Sequence, residues 1–314
     1  MLKYIQRNKQ IRAILYSVFR ALILVAIGYT LLNPLFQLLA NSFKSSVDML
    51  DTSVVWIPKH FSFQAYRAAI YVLNYFKSIW NTFYVQILAA LVEIMSCAVT
   101  AYGFARFPLP EKKIYYVILL LMVLIPVQMI MLPNYLNYRY FDIAGILDTI
   151  GKSLGKELRI NLINTPFTFW LPSLLGVGYR AGIFILIYIQ FFKDMPKELE
   201  EAAWVDGAGP LRTFCSIILP SSGVAMLTVG LLSIIWHWNE YYLSVMYFNK
   251  NYSLAVALSR IGDSIRQAVK VVDIQNSVAI TMAGCVLYIL PVLILYMILQ
   301  KKFVKSIDRV GIVG

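Results

Sequence analysis

Long apolar runs alternate with short polar segments along the whole chain. A hydrocarbon core about 30 Å thick is crossed by about 20 helical residues. Six stretches reach that length, approximately 19–41, 80–105, 114–136, 168–192, 222–247 and 278–299. Between the fourth and fifth lies an island of different texture, Lys197 to Pro220, KELEEAAWVDGAGPLRTFCSIILP. Asp194 and Pro196 suit a helix start, because proline in the first turn gives up only an N–H that has no partner there. Gly207 supplies the positive φ that commonly ends a helix, and Gly209-Pro210 then opens another. The island reads as helix, tight turn, helix. Leu199, Ala202 and Ala203 are expected on one apolar face, and Leu211, Phe214, Cys215 and Ile218 on the other. Helices this short need something to pack on.

Composition turns this pattern into a membrane protein. With 314 residues, 60% hydrophobic, 14% charged and a mean hydropathy of +0.68, the chain is too apolar for a soluble domain of its size. The net charge of +12 is spread over the polar segments without a basic face, so it points to membrane orientation and anionic headgroups and not to nucleic acid. Placing the basic N-terminus inside puts 15 Lys and Arg residues inside and 12 outside, with Arg180 set aside as intramembrane. Both termini are then cytoplasmic: segment 1–18, a six-span domain 19–299 with the island as a loop over 193–220, and a tail 300–314. Lys3, Arg7, Lys9, Arg12 and Arg20 ahead of the first run resemble a signal peptide. The run from Ala21 to Ala40 is long enough to span, and an uncleaved first span is expected; cleavage after Ser42 is the alternative.

The chemistry-bearing residues are few. Cys97, Cys215 and Cys285 lie far apart, with neither disulfide nor metal spacing, and no metal site is expected. The stretch Gly145 to Ser153 nearly spells a phosphate-binding loop, but five residues separate its glycines and no strand is expected before it. Glu93 falls inside the second span, where a carboxylate faces the bundle interior either as a pathway residue or as an interhelix hydrogen bond. Pro126 interrupts the third span, which should end near Pro133. Asn164-Thr165-Pro166 starts a helix, and Gly176, Gly178 and Arg180 leave two readings: a short interfacial helix over about 166–175 followed by a span, or one kinked span. Arg180 is a candidate site or snorkels to the headgroups. Trp236-His237-Trp238-Asn239-Glu240-Tyr241-Tyr242 offers rings that stack on a sugar face and polar groups for its hydroxyls; an interfacial aromatic belt is the other reading. His237 is expected to be a satisfied core histidine.

The island also carries a resemblance. It is similar to the cytoplasmic coupling loop of ABC importer permeases, pattern E-A-A-x-x-D-G-A-x5-F-x-x-I-x-L-P, at all ten positions: Glu201, Ala202, Ala203, Asp206, Gly207, Ala208, Phe214, Ile217, Leu219 and Pro220. The segment Ala101-Tyr-Gly-Phe-Ala-Arg106-Phe107, the W-N-E-Y segment, Ser253–Leu258 and Gln300–Lys305 resemble the carbohydrate-uptake branch. Ser306, Asp308, Val310 and Val313 depart from the family's tail, and Lys152 to Arg159 looks like an insertion.

The resemblance implies an all-α transmembrane six-helix permease bundle with a cytoplasmic helix-turn-helix coupling loop. It implies no catalytic residues and no cofactor in this chain, with ATP and Mg bound by two partner ATPase subunits. A second permease, forming a heterodimer, and an extracytoplasmic solute-binding protein complete the expected assembly in the plasma or inner membrane. Glu201 would anchor the ATPase, Ala202 and Ala203 allow close approach and Gly207 make the corner, while Glu93, Arg180, Trp238, Asn239, Glu240 and Tyr241 would line the path of a sugar or oligosaccharide. Another polar solute, an ATP-independent transporter and a polytopic membrane enzyme are the rivals. The enzyme lacks a cluster of acids or histidines, since His60 and His237 lie far apart.

Overall fold

The computed structural model describes residues 2–142, 145–155, 159–249, 253–268 and 276–311. It is helical, with two isolated β-bridges, and divides into two compact units, residues 1–73 with 261–289 and residues 74–260 with 290–314.

In the first unit, α1 (Leu2–Ser42) runs without a break through the expected boundary near residue 18. Its apolar side chains from Leu15 to Leu39 are exposed or only half-buried. The connector after it is ordered by polar and aromatic contacts around α2 (Ser46–Leu50) and α3 (Gln64–Val72). Buried Asp48 accepts from the His60 backbone N–H at 2.7 Å and contacts His60 Nδ1 at 2.8 Å. Lys44 Nζ donates to the Val54 carbonyl at 2.7 Å, and Phe43 stacks on Phe61 with centroids 4.6 Å apart.

In the second unit, α4 (Tyr75–Arg106) is the central helix, with a π-helical stretch at Thr82–Ile87. Two bent pairs follow. α5 (Lys112–Leu124) and α6 (Val127–Arg139) meet at 101° because Ile125 and Pro126 are both extended. The expected interruption of the third span at Pro126 is thus present, but the helix after it does not end near Pro133: α6 continues to Arg139. α7 (Ile146–Leu154) turns the near-phosphate-loop segment into a helix. Of the expected insertion, residues 156–158 lie outside the described residues.

Of the two readings of 166–192, the two-helix form is the one seen. α8 (Phe167–Leu174) is separated from α9 (Ala181–Asp194) by a break in which Gly176 and Arg180 both have φ of +69°. At 1.5 Å per residue the 14 residues of α9 reach only about 21 Å. α10 (Glu198–Val205) and α11 (Pro210–Ser221) form the island. α12 (Gly223–Trp238) meets α11 at 80° and stops at Asn239, short of the expected end at 247; a separate α13 (Tyr242–Tyr247) follows. α14 (Leu254–Ser259) closes this part, and α15 (Ile261–Gln267) belongs to the first unit. α16 (Ser277–Gly311) covers the last expected span and continues into the expected tail, of which 312–314 lie outside the described residues. Among the described residues three uninterrupted helices are long and apolar enough to cross a membrane, or up to five segments if each bent pair is one span.

Small residues let α4 and α9 approach closely. Cys97, Ala98 and Ala101 on α4 meet Ala181, Phe184, Ile185, Tyr188 and Phe192 on α9, all buried at helical spacing. On another side of α9, a Cβ on Gly182 would lie 2.9 Å from Val123 Cγ2 of α5.

Candidate functional site

The island is a rigid corner. α10 ends in a Schellman arrangement: Ala208 N–H donates to Ala203 O at 2.9 Å, Gly207 N–H to Trp204 O at 3.0 Å, and Gly207 has φ +80°. Gly209 is extended and caps α11, with Pro210 in its first turn. The middle of α11, Phe214–Ile218, is π-helical.

The faces differ from the sequence expectation. On α10 the inward residues are Glu200 and Ala203, three apart, whereas Leu199, Glu201 and Ala202 are exposed. On α11, Thr213, Phe214 and Ile218 are buried, but Leu211 is 74% exposed and Cys215 is also outward. Asp206, Gly207 and Pro220 are exposed, and Ala208 is half-buried. The outer surface of the corner thus presents Glu201, Ala202, Trp204, Val205 and Leu211, with Val205 87% exposed.

Sequence reasoning missed the seat beneath it. Arg106, the last residue of α4, places Nε 2.6 Å from Glu200 Oε1, and both side chains are about 5% exposed or less. Arg106 Nη2 also donates to the carbonyl of Met195, just past α9, at 2.8 Å. Removing one member of such a buried pair costs about 3–5 kcal/mol, because the other charge is left uncompensated. One turn back, the Tyr102 ring lies 5.0 Å from Phe214 and 6.1 Å from Phe192. The available signal was the second acid beside Glu201, set about 100° round a short helix from it.

The expected pathway residues fall into two groups. Glu93 and His237 are fully buried and meet each other, His237 Nε2 lying 3.3 Å from Glu93 Oε2. The Ser233 carbonyl holds His237 Nδ1 at 3.0 Å, and Tyr179 packs edge-on at 5.9 Å. Gly178 makes room for this pair, since a Cβ there would lie 2.5 Å from Glu93 Oε1. Trp238 is buried, edge-on to Phe83, and buried Glu240 accepts from Leu243 N–H at 2.7 Å and Ser244 N–H at 2.8 Å, capping α13. Arg180, Asn239 and Tyr241, by contrast, reach the surface. The Arg180 guanidinium lies over the rings of Tyr179 and Trp236 at 5.5 and 5.4 Å.

The comparisons with known proteins fit this architecture. The chain is 29% identical over 276 residues to a probable starch degradation products transport system permease of Thermoanaerobacterium thermosulfurigenes, covering 88% of this chain and 89% of the relative. It is 28% identical to a diacetylchitobiose uptake system permease of Streptomyces coelicolor, covering 88% and 82%. Its fold matches a chain in the crystal structure of a bacterial ABC transporter involved in the import of the acidic polysaccharide alginate. There the TM-score is 0.72 at 20% identity, over 92% of this chain and 96% of that one. The family model for the binding-protein-dependent transport system inner membrane component matches residues 97–309, and this chain, a membrane protein with the fold of an ABC importer permease, belongs to that family.

Proposed function

We propose that this chain is the permease subunit of an ATP-driven importer for a sugar or oligosaccharide, worked by separate ATPase subunits seated on the α10–α11 corner. The observation that carries this reading is the corner itself: an exposed surface of Glu201, Trp204, Val205 and Leu211 on a base fixed by hydrogen bonds and a buried ion pair. A partner that pushes on such a corner moves the helices under it, whereas a floppy loop would absorb the motion. In this reading the corner and both termini face the cytoplasm. Two ATPases hold the ATP and Mg, this chain has no nucleotide site or catalytic residue, a second permease completes a heterodimer, and an extracytoplasmic binding protein delivers cargo.

The sugar assignment is supported by relatives named for starch products, diacetylchitobiose and arabinooligosaccharides. Arg180, Asn239 and Tyr241 are the expected pathway residues that reach the surface and so could meet cargo. The enclosed Glu93, Trp238 and Glu240 would act on the path only through the helices they join.

The test is uptake by the assembled importer in ATP-loaded vesicles. The unaltered chain should co-purify an ATPase and take up labelled oligosaccharide only with ATP. Gly207→Pro forces φ to about −65° where +80° is required and removes the donor to Trp204 O. It should leave ATP hydrolysis running while uptake is lost. Normal uptake by a stably inserted Gly207→Pro variant would refute the reading.

A further inference from the structure

We propose that Arg106 is a positioning residue for coupling: with Glu200 it clamps the α10–α11 corner to the ends of α4 and α9, so that corner and helices move as one body. The inference rests on the reading of the corner as the ATPase seat and adds the part through which force leaves it. One guanidinium joins three elements. It closes the end of α4, meets Glu200 in the first turn of α10 at 2.6 Å, and donates to Met195 O past the end of α9 at 2.8 Å. Both charged groups are enclosed, so water does not compete for the contact. The second helix of the corner is fixed at the same place by an apolar contact, Phe214 against Tyr102 and Phe192. The corner is thus held once by charge and once by rings, on opposite sides of the Gly207 turn. Glu201, by contrast, is exposed and has no part in this joint.

Two measurements test it. In the purified full-length chain, Glu200→Gln and Arg106→Gln should each speed amide exchange of residues 198–213 by about tenfold or more, because a buried charge without its partner favours local opening. Unchanged exchange in both variants overturns the joint whatever the ATPase does, and absence of ATP-dependent uptake by the unaltered chain sinks the functional reading without touching this result.

The second measurement uses the assembled importer with Cys97, Cys215 and Cys285 replaced by serine. Arg106→Cys/Glu200→Cys leaves no charge buried alone but removes the clamp, and should hydrolyse ATP with uptake per ATP lowered by about tenfold. A short bifunctional thiol cross-linker between the two new cysteines should restore the ratio. Cross-linked protein that stays uncoupled overturns the proposal, as does a double variant that is fully coupled before cross-linking.

Discussion

Glu93 and Gly178 compete for one small volume between α4 and the break that joins α8 to α9. A methyl group on Gly178 would come within 2.5 Å of Glu93 Oε1 and 2.9 Å of Ser173 Oγ, whereas one on Gly103 would meet nothing within 4 Å. Gly178→Ala should therefore cost about 1–3 kcal/mol through forced repacking. Gly103→Ala should be neutral or gain up to about 1 kcal/mol of helix propensity. Thermal unfolding of the two variants in detergent separates them, and equal midpoints would contradict the crowding. At this scale the sequence showed which residues were unusual more readily than what they touch. The sequence marks Glu93 as a lone intramembrane acid, but its partner lies 144 positions away at His237, beyond the reach of any local pattern. Glu240 among aromatics suits sugar hydroxyls by residue type; the structure uses its two oxygens to cap α13.

Element boundaries were legible where backbone chemistry dictates them. Gly207, Gly209-Pro210 and Pro166 mark a turn and two helix starts that need no distant contact. The buried faces of α10 and α11 were legible only in part: Ala203, Phe214 and Ile218 are inward as expected, whereas Leu199, Ala202, Leu211 and Cys215 are not. An eight-residue helix with apolar residues on several sides has no unique inward face until Arg106 fixes Glu200 inward, and the π-helical stretch rotates Cys215 out of line with Phe214. The break of the third span was visible at Pro126, but not its 101° angle, which depends on Ile125 also being extended. In the connector after α1, burial would raise the Asp48 pKa, but the hydrogen bonds from His60 outweigh it and hold the carboxyl below its ordinary 3.8. A depressed folded-state pKa stabilises above the unfolded value and loses that contribution as pH falls through the folded one. Asp48→Asn should therefore lower the thermal midpoint at neutral pH. The gap from the unaltered chain should hold down to about pH 5 and narrow below 3.8. A gap independent of pH would show that the charge is not what matters.

For the whole molecule, composition and the run of apolar segments sufficed to announce a helical membrane protein, and the ten matched positions of the corner pointed to the family. How many spans are straight was hidden, because hydropathy averages over breaks such as those at 125–126 and 175–180. Orientation is open to a direct check. Cys215 is exposed on α11 and Cys97 is enclosed between α4 and α9. A membrane-impermeant thiol reagent should label Cys215 in inside-out vesicles and not in right-side-out ones, with Cys97 protected in both. Labelling of Cys215 from the outside would invert the proposed topology. α1, finally, bears on where evolution is free to act. A greasy rod whose flanks find little shelter among the described residues is answerable to lipid. Along such a surface any residue of sufficient oiliness should serve, and a position that tolerates no exchange would mark contact with something other than lipid.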